Sequence, residues 1–495
     1  MFKHLYFPVV LLAVGLMACR QPAPEPGSSA SQTKLFTLLP ASETGIDFRN
    51  DLVYDRDFNI YRYRNFYNGG GAGIGDVNND GLPDVFFSSN MGENRLYLNK
   101  GNWKFEDVTA KAGVAGKGSW STGVAMADVN GDGWLDIYVC NSGISRSDEK
   151  EEHLFSRENE LYINNGDGTF SEKAKEFGLA DRGLSTHAAF FDYDKDGDLD
   201  AYILNNSFRA IGSFDLRKNL RFTRDSLGGH KLFRNDNGHF KDVSQEAGIL
   251  GSIIAFGLGV TVGDTDMDGW QDIYVSNDFF ERDYLYHNNG DGTFSEVLEK
   301  EMRHISAASM GADMADINND ARPDIFVTDM LPEPDRRLKT TTSFDSPDRF
   351  RYTSSYGYYN QFTRNMLHLN NADDTYSEIA CLGGVEATDW SWGALLFDMD
   401  NDGWRDIFVA NGIAQDLTNQ DYLMFASDPS VQREIVGGGN VDFKRLIDSI
   451  PSEKIPNYAF HNKHNLTFEN LADTWGLADP SFSNGSAYGD LDNDG

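Results

Sequence analysis

One nine-residue pattern constrains this chain more than any other: Asp-x-(Asp/Asn)-x-Asp-Gly-x-x-Asp, seen in full at Asp128-Val-Asn-Gly-Asp-Gly-Trp-Leu-Asp136. Positions 1, 3, 5 and 9 carry side-chain oxygens, and position 7 offers a backbone carbonyl. Glycine at position 6 permits the reversal that gathers them into one shell. A hard cation such as Ca²⁺ takes about six to eight oxygens at about 2.3–2.6 Å, and a loop of this spacing can supply them. The pattern occurs seven times. The expected ligands are Asp76, Asn78, Asp80 and Asp84; Asp128, Asn130, Asp132 and Asp136; Asp192, Asp194, Asp196 and Asp200; Asp264, Asp266, Asp268 and Asp272; Asp316, Asn318, Asp320 and Asp324; Asp398, Asp400, Asp402 and Asp406; and, in a copy cut at Gly495, Asp490, Asp492 and Asp494. Solvated acidic turns would not keep the glycine and the ninth-position Asp in register. In the fifth copy Ala321 replaces the glycine, which predicts a weak or distorted site.

An EF-hand would need a bidentate Glu at position 12 and flanking helices. Here position 12 is Phe87, Val139, Ile203, Val275, Val327 and Val409, within apolar, mostly β-branched runs that read as strands. Four pieces recur around each loop. A small-residue strand such as Gly123-Val-Ala-Met-Ala-Asp leads in, and a second strand follows the loop. A third strand such as Glu160-Leu-Tyr-Ile-Asn comes next, then a turn such as Asn165-Gly-Asp-Gly-Thr, whose Asn-Gly and Asp-Gly steps tolerate positive φ. The fourth strand opens on an aromatic: Phe105, Phe170, Phe240, Tyr376 or Phe468. Such repeats, stacked without linkers, predict an all-β, seven-bladed β-propeller of four-stranded antiparallel blades. A string of separate Ca²⁺-binding sandwiches, the competing architecture, would need linkers. Phe36–Ile46 reads as a fourth strand with no first three before it, and the loop at Asp490 as a blade only begun. The expected ring is closed by that N-terminal strand, with its last blade incomplete in this chain.

The formal charge is −34, and the acidic loops hold much of the excess, so a nucleic-acid partner is disfavoured. Residues 1–18 read as an export signal: Lys3 and His4 precede an apolar run, Leu5–Met17, that is short for a membrane span. Leu16-Met17-Ala18-Cys19 resembles the lipobox of bacterial lipoproteins, in which the cysteine after the cut is lipidated. That resemblance implies a membrane anchor on Cys19 and an exported protein at the outer membrane or cell surface of a bacterium. An ordinary signal with an incidental cysteine is the alternative. Residues 19–34, rich in Pro, Ser, Ala and Gln, read as a disordered tether, and 35–495 as the propeller.

The repeats resemble FG-GAP/VCBS repeats, the type found in α-integrin heads and many secreted bacterial proteins, over residues 66–495. The lipobox and Trp390-Ser-Trp-Gly further resemble bacterial lipoproteins related to cartilage acidic protein, which often carry an ASPIC/UnbV segment after the propeller. The resemblance implies extracellular adhesion or ligand binding, and for the bacterial members no settled activity.

Extra length lies between strands two and three: Ser142–Asn159, Asn206–Gly229, Met330–Arg364 and Gly412–Asn457. In an up-and-down blade the 1–2 and 3–4 turns share one face, so the insertions build the face opposite the acidic loops. Insertions gathered on one face mark a binding face. There Arg336, Arg337 and Arg351 stand among aromatics that include Tyr358, a recognition-like composition. The alternative is an insertion that folds on its own aromatics and pairs its arginines with acids. The 4–1 connections add Trp120, His187, Trp390 and Trp392 near the channel mouth. No nucleophile elbow, zinc-binding His pair or phosphate loop occurs, so no catalytic residue is expected. The expected function is a non-catalytic, Ca²⁺-stabilised cell-surface scaffold for a glycan or protein ligand. A propeller enzyme acting on polysaccharide, or a structural subunit of an outer-membrane uptake complex, are the alternatives.

Overall fold

Six four-stranded antiparallel sheets, each a simple meander, make up the computed structural model. It describes residues 34–494 except 57, 119, 144–156, 210–213, 342–345 and 437–442. Residues 1–18, expected to be an export signal, and Cys19 lie outside the described residues.

The blades, strand by strand, begin with Ala72–Gly75, Asp84–Phe87, Arg95–Asn99 and Phe105–Asp107. The second comprises Trp120–Ala127, Asp136–Ser142, Glu160–Asn164 and Phe170–Glu172. The third runs through Ser185–Phe191, Asp200–Asn205, Lys231–Asn235 and Phe240–Asp242. Blade four is Gly257–Gly263, Asp272–Asn277, Tyr284–Asn288 and Phe294–Glu296. Blade five is Ala312–Ala315, Asp324–Val327, Met366–Asn370 and Tyr376–Glu378. Blade six is Ser391–Phe397, Asp406–Asn411, Tyr458–Asn462 and Phe468–Asn470.

The second strands of the inner blades are apolar on both faces because each of those blades packs against two others. Asp136–Ser142, Asp200–Asn205 and Asp272–Asn277 are buried along their whole length. One apolar cluster lies between each successive pair, joining blades one and two through Ile137 and Phe86 and blades three and four through Tyr202 and Tyr286. First strands of successive blades lie side by side around a central cavity. Their backbones approach so closely that a Cβ on Gly311 would sit 2.3 Å from the Trp392 carbonyl oxygen, which requires glycine there.

A second device ties blade to blade. Each third strand ends in asparagine, and its backbone N–H donates to the ninth-position Asp of its own loop, as Asn164 does to Asp136 at 2.8 Å. Its side-chain amide reaches back to the preceding loop: Asn164 Nδ2 donates to Val77 O at 2.7 Å, Asn288 to Tyr193 O at 2.8 Å and Asn462 to Ile317 O at 2.8 Å. Asn99, in blade one, gives the same bond to Leu491 O at 2.7 Å, so the last acidic loop occupies the place before the first.

The seven blades expected from the repeat count are corrected to six. The chain segment after blade six takes the innermost position of a next blade: Gly393 N–H donates to Asn484 O, repeating the bond from Gly311 N–H to Trp392 O. No second strand stands beside that segment among the described residues, so it forms no ladder. Phe36–Ile46 is not a strand either, for the same reason. Its ends are nevertheless placed as a fourth strand's would be. Phe36 N–H donates to Trp475 O as Phe294 N–H does to Ala247 O. Its helical turn Ala41–Thr44 ends at left-handed Gly45, as Thr109–Ala112 ends at Gly113. Phe36 covers the open side of blade six, and Ile46, Phe48 and Leu491 that of blade one.

Residues 58–68, which no repeat pattern announced, form an aromatic plug. Phe58, Tyr63 and Phe66 surround the fully buried Trp120 at ring-centroid distances of 4.9, 5.5 and 5.2 Å. The same cluster takes in Trp390, Trp392 and Ile413 from blade six and its insertion. That insertion, like the one in blade five, carries helices: Gln420–Ala426, Pro429–Val436 and Phe443–Asp448 in blade six, Asp335–Thr340 and Pro347–Ser355 in blade five.

Asn288→Ala should lower unfolding stability in urea by about 1–3 kcal/mol, because it leaves buried carbonyls unpaired. Asn289→Ala, on the exposed hairpin beside it, should cost no more than about 0.5 kcal/mol. Equal losses would mean that the inter-blade bond is not what holds the ring.

Candidate metal loops and ligand face

The acidic loops share one hydrogen-bond scheme. In the first, Asp76 accepts from Asp80 N–H at 3.2 Å and Gly81 N–H at 2.7 Å, and Asp80 from Leu82 N–H at 2.9 Å. The ninth residue, Asp84, accepts from Val77 N–H at 3.0 Å and Asn99 N–H at 2.8 Å. The scheme recurs through the sixth loop, where Asp398 holds Asp402 and Gly403 N–H, and Asp406 holds Met399 and Asn462 N–H. The fifth loop keeps it too. Ala321 adopts φ 69° and its N–H donates to Asp316 at 2.7 Å, so the expected distortion is absent and the alanine bears the left-handed strain instead.

Three carboxylates each bring an oxygen within 4.8 Å of the others in four loops: Asp192, Asp194 and Asp196; Asp264, Asp266 and Asp272; Asp398, Asp400 and Asp406; Asp490, Asp492 and Asp494. In the first, second and fifth loops position 3 is Asn78, Asn130 or Asn318, whose amide oxygen is the corresponding donor. Such oxygen sets could hold a hard divalent cation. Burial, opposed by the N–H donors, pushes the ninth-position carboxyls up, to about 6 for Asp84 and Asp272 and about 7 for Asp136, Asp200 and Asp324.

A pairing missed in the sequence separates the loops into two kinds. Where position 3 is Asp194, Asp266 or Asp400, the residue before the third-strand asparagine is Arg234, His287 or His461. Where it is Asn78, Asn130 or Asn318, that residue is Leu98, Ile163 or Leu369. His287 Nδ1 lies 3.4 Å from Asp266, and His461 Nδ1 lies 3.3 Å from Asp400. The charge of Arg234 acts on Asp194. Each extra carboxylate thus meets a group able to carry positive charge. His461 also joins Asp400 and Asp402 in a cluster of ion-binding reach. Aligning the repeats on their asparagines, rather than on their loops alone, exposes this signal.

The expected ligand-face residues separate into four groups. Trp120 and Tyr358 are buried packing residues at 0% and 2% exposure, so they present no surface. Arg336 and Arg351 are exposed beside Glu453 and Asp348. Arg337 is buried between Asp389, at 2.7 and 2.8 Å, and Asp416, at 2.6 Å. It fastens the blade-five insertion to blade six, so the reading of an insertion that pairs its own arginines describes this residue. His187 lines the axial cavity of about 350 Å³, and burial lowers its pKa. Trp390 and Trp392 line a cavity of about 270 Å³ against the plug. Trp392 Nε1 donates to Gly412 O at 2.7 Å.

On the far side of the plug a cavity of about 530 Å³ is lined from residues 60–65, 206–209, Arg157, Leu184, Phe256 and Leu417. The linings of this cavity and of the one at Trp390 come from the plug, the 2–3 and 4–1 connections and the channel-side start of a first strand. None comes from an acidic loop.

The model of the FG-GAP-like repeat matches residues 76–139, 149–203 and 264–327. The chain is 28% identical over 246 residues to cartilage acidic protein 1 of Xenopus tropicalis, covering 48% of this chain and 34% of that protein. Against the Mus musculus protein of the same name it is 38% identical over 73 residues, 15% of this chain and 11% of that one. The chain therefore spans about a third or less of the length of these relatives. A solved Agrocybe aegerita lectin, described for specific recognition of non-reducing terminal N-acetylglucosamine, aligns at a TM-score of 0.41 and 14% identity over 85% of this chain and 87% of its own.

Arg337→Ser should destabilise the fold by about 3–5 kcal/mol, since the buried carboxylates of Asp389 and Asp416 lose the cation that bridges them. Arg351→Ser should change stability by no more than about 0.5 kcal/mol. Thermal or urea unfolding of the two variants distinguishes a fastening residue from a surface one.

Proposed function

On a chain whose FG-GAP-like repeats form a β-propeller, homologous in part to cartilage acidic protein 1, we propose a non-catalytic binding scaffold, stabilised by Ca²⁺ and held at a bacterial cell surface. One observation carries the binding reading. Both side cavities are built from the connections opposite the acidic loops, so one rim is free for recognition while the other holds the ring together.

Ca²⁺ would be held by positions 1, 3, 5 and 9 of each loop, as in Asp264, Asp266, Asp268 and Asp272. When bound it supplies the positive charge that buried carboxylates lack. The residues do the rest: the ninth-position Asp fixes its own loop through the backbone N–H at position 2 and orients the third-strand asparagine toward the preceding blade. We read the ring as having seven positions, the seventh marked by the loop at Asp490 and by Phe36–Ile46. The ligand is a glycan or a protein, and the anchor is a lipid on Cys19.

Melting the protein with and without a chelator tests the cation. A single site at a hundred times its dissociation constant adds about 2.7 kcal/mol, so the calcium-loaded protein should melt several degrees higher. Identical melting temperatures would remove the cation from this account. For the anchor, Cys19→Ser should move the protein from the membrane to the soluble fraction, and unchanged partitioning would exclude lipidation there. A glycan and peptide array tests the scaffold reading directly: specific capture without turnover is expected, and turnover of a captured polysaccharide would make the protein an enzyme instead.

A further inference from the structure

The cavity of about 530 Å³ beside the plug differs in charge from the rest of the molecule. Four arginines line it, Arg62, Arg64, Arg157 and Arg209, in a chain whose formal charge is −34. Elsewhere buried or half-buried arginines sit on acids: Arg221 on Glu281, Arg282 on Glu296, Arg364 on Glu378. Among the described residues, none of these four has a carboxylate in ion-pair contact. Two of them lie over aromatic rings, Arg64 at 5.6 Å from Phe279 and Arg157 at 5.3 Å from Phe208, and the charge of buried Asp278 acts on Arg64 from beyond ion-pair contact. Four like charges facing one space repel unless something negative enters it.

A second, independent feature lies in the same wall. Asn206 is completely buried, and neither its amide oxygen nor its amide nitrogen has a hydrogen-bond partner. A buried amide offers donors and an acceptor together, which is what a sugar hydroxyl pairs with. Leaving both unmade is costly, so a side-chain turn that brought the amide to a ligand in the cavity would recover hydrogen bonds the empty site lacks. Phe208 and Phe256 add apolar faces of the kind on which sugar rings lie. The volume falls within the range of about 300–1,000 Å³ that small-ligand sites occupy.

We propose that this cavity binds an acidic sugar residue of an oligosaccharide, with its sulfate or carboxylate on the arginines and its hydroxyls on Asn206. Arginine matches both oxyanions through paired N–H groups, so the shared chemistry is a planar or tetrahedral oxyanion on a hydroxylated ring. The inference rests on the insertion face being the binding face and names the ligand class for it. An oligonucleotide also offers oxyanions, but a strongly acidic surface around a pocket of one or two rings opposes a long anionic strand.

Calorimetric titration of the full calcium-loaded chain tests this with four probes: a heparin-derived tetrasaccharide, trigalacturonate, cellotriose and a short single-stranded oligodeoxynucleotide. One of the two acidic oligosaccharides should bind at least tenfold, roughly, more tightly than cellotriose, and which one does identifies sulfate or carboxylate. Arg62→Glu with Arg209→Glu, both at exposed positions, should weaken that binding by about a hundredfold or more with the melting temperature nearly unchanged. Asn206→Leu should weaken it about tenfold and leave the melting temperature no lower, because no hydrogen bond is lost. Equal binding of cellotriose, tighter binding of the oligonucleotide, or indifference to all three substitutions would overturn the proposal. If an array ligand binds and ignores these substitutions, the ligand class falls and the binding face stands. If neither array ligands nor acidic oligosaccharides bind, both fall.

Discussion

The buried carboxylate at the ninth position of each acidic loop is the interaction on which the rest of the ring depends. Asp136 is almost completely buried and accepts N–H groups from Val129 in its own loop and from Asn164 at the end of the third strand. Those two bonds set the loop's closure and the register of the third strand at once. With its backbone so placed, Asn164 turns its amide onto Val77 O of the preceding loop. One side chain therefore couples loop shape, sheet register and blade order. This is why the pattern cannot drift: moving the Asp by one residue would put it on the opposite face of its strand.

That coupling leaves the opposite rim freer in length. The residues that leave the second strands still hold the next blade, as Asn90 donates to Ser121 O at 2.8 Å and Thr328 to Trp392 O at 2.8 Å, but the insertions beyond them carry no repeated loop geometry. Insertions there can lengthen, fold into helices and receive the plug at 58–68 with little cost to the sheets beneath, since longer loops add only slowly to closure entropy. The proposed function thereby puts stability and recognition at different ends of the same strands. Arg337 marks a limit to this separation: it lies on the insertion side, yet its two carboxylates, Asp389 and Asp416, make it part of the frame.

Much of this was legible from the residues because the repeats are both local and periodic. Loop spacing, the Asn-Gly-Asp-Gly-Thr turns and the small-residue lead-in strands fixed each blade's four strands. The glycines of the lead-in strands also answer to the backbone of the neighbouring blade, as at Gly311. What was not legible is what depends on contact between distant segments. Phe58, Tyr63 and Phe66 carry no repeat signal, and only the buried indole of Trp120, far along the chain, explains them. Arg337 could not be told from Arg336 by composition, since the difference is the arrival of Asp389 and Asp416. The expected strand at Phe36–Ile46 had the right aromatic and the right glycine, but a strand also needs a partner to bond, and none stands beside it among the described residues.

The two rims also differ in how they handle charge. On the loop rim, negative groups are concentrated and then answered locally, by backbone N–H groups in every loop and by Arg234, His287 or His461 in the three complete loops whose position 3 adds a further carboxylate. Each answer is short-range, so the large formal charge does not need balancing at a distance, where salt screens it beyond about 8–10 Å. On the insertion rim the opposite sign is concentrated at Arg62, Arg64, Arg157 and Arg209, with no ion pair among the described residues. A chain with so many acids could have paired these arginines at little cost, as it pairs Arg221 and Arg282. Their sharing one cavity with a buried, unpartnered Asn206 is what the proposed anion site rests on.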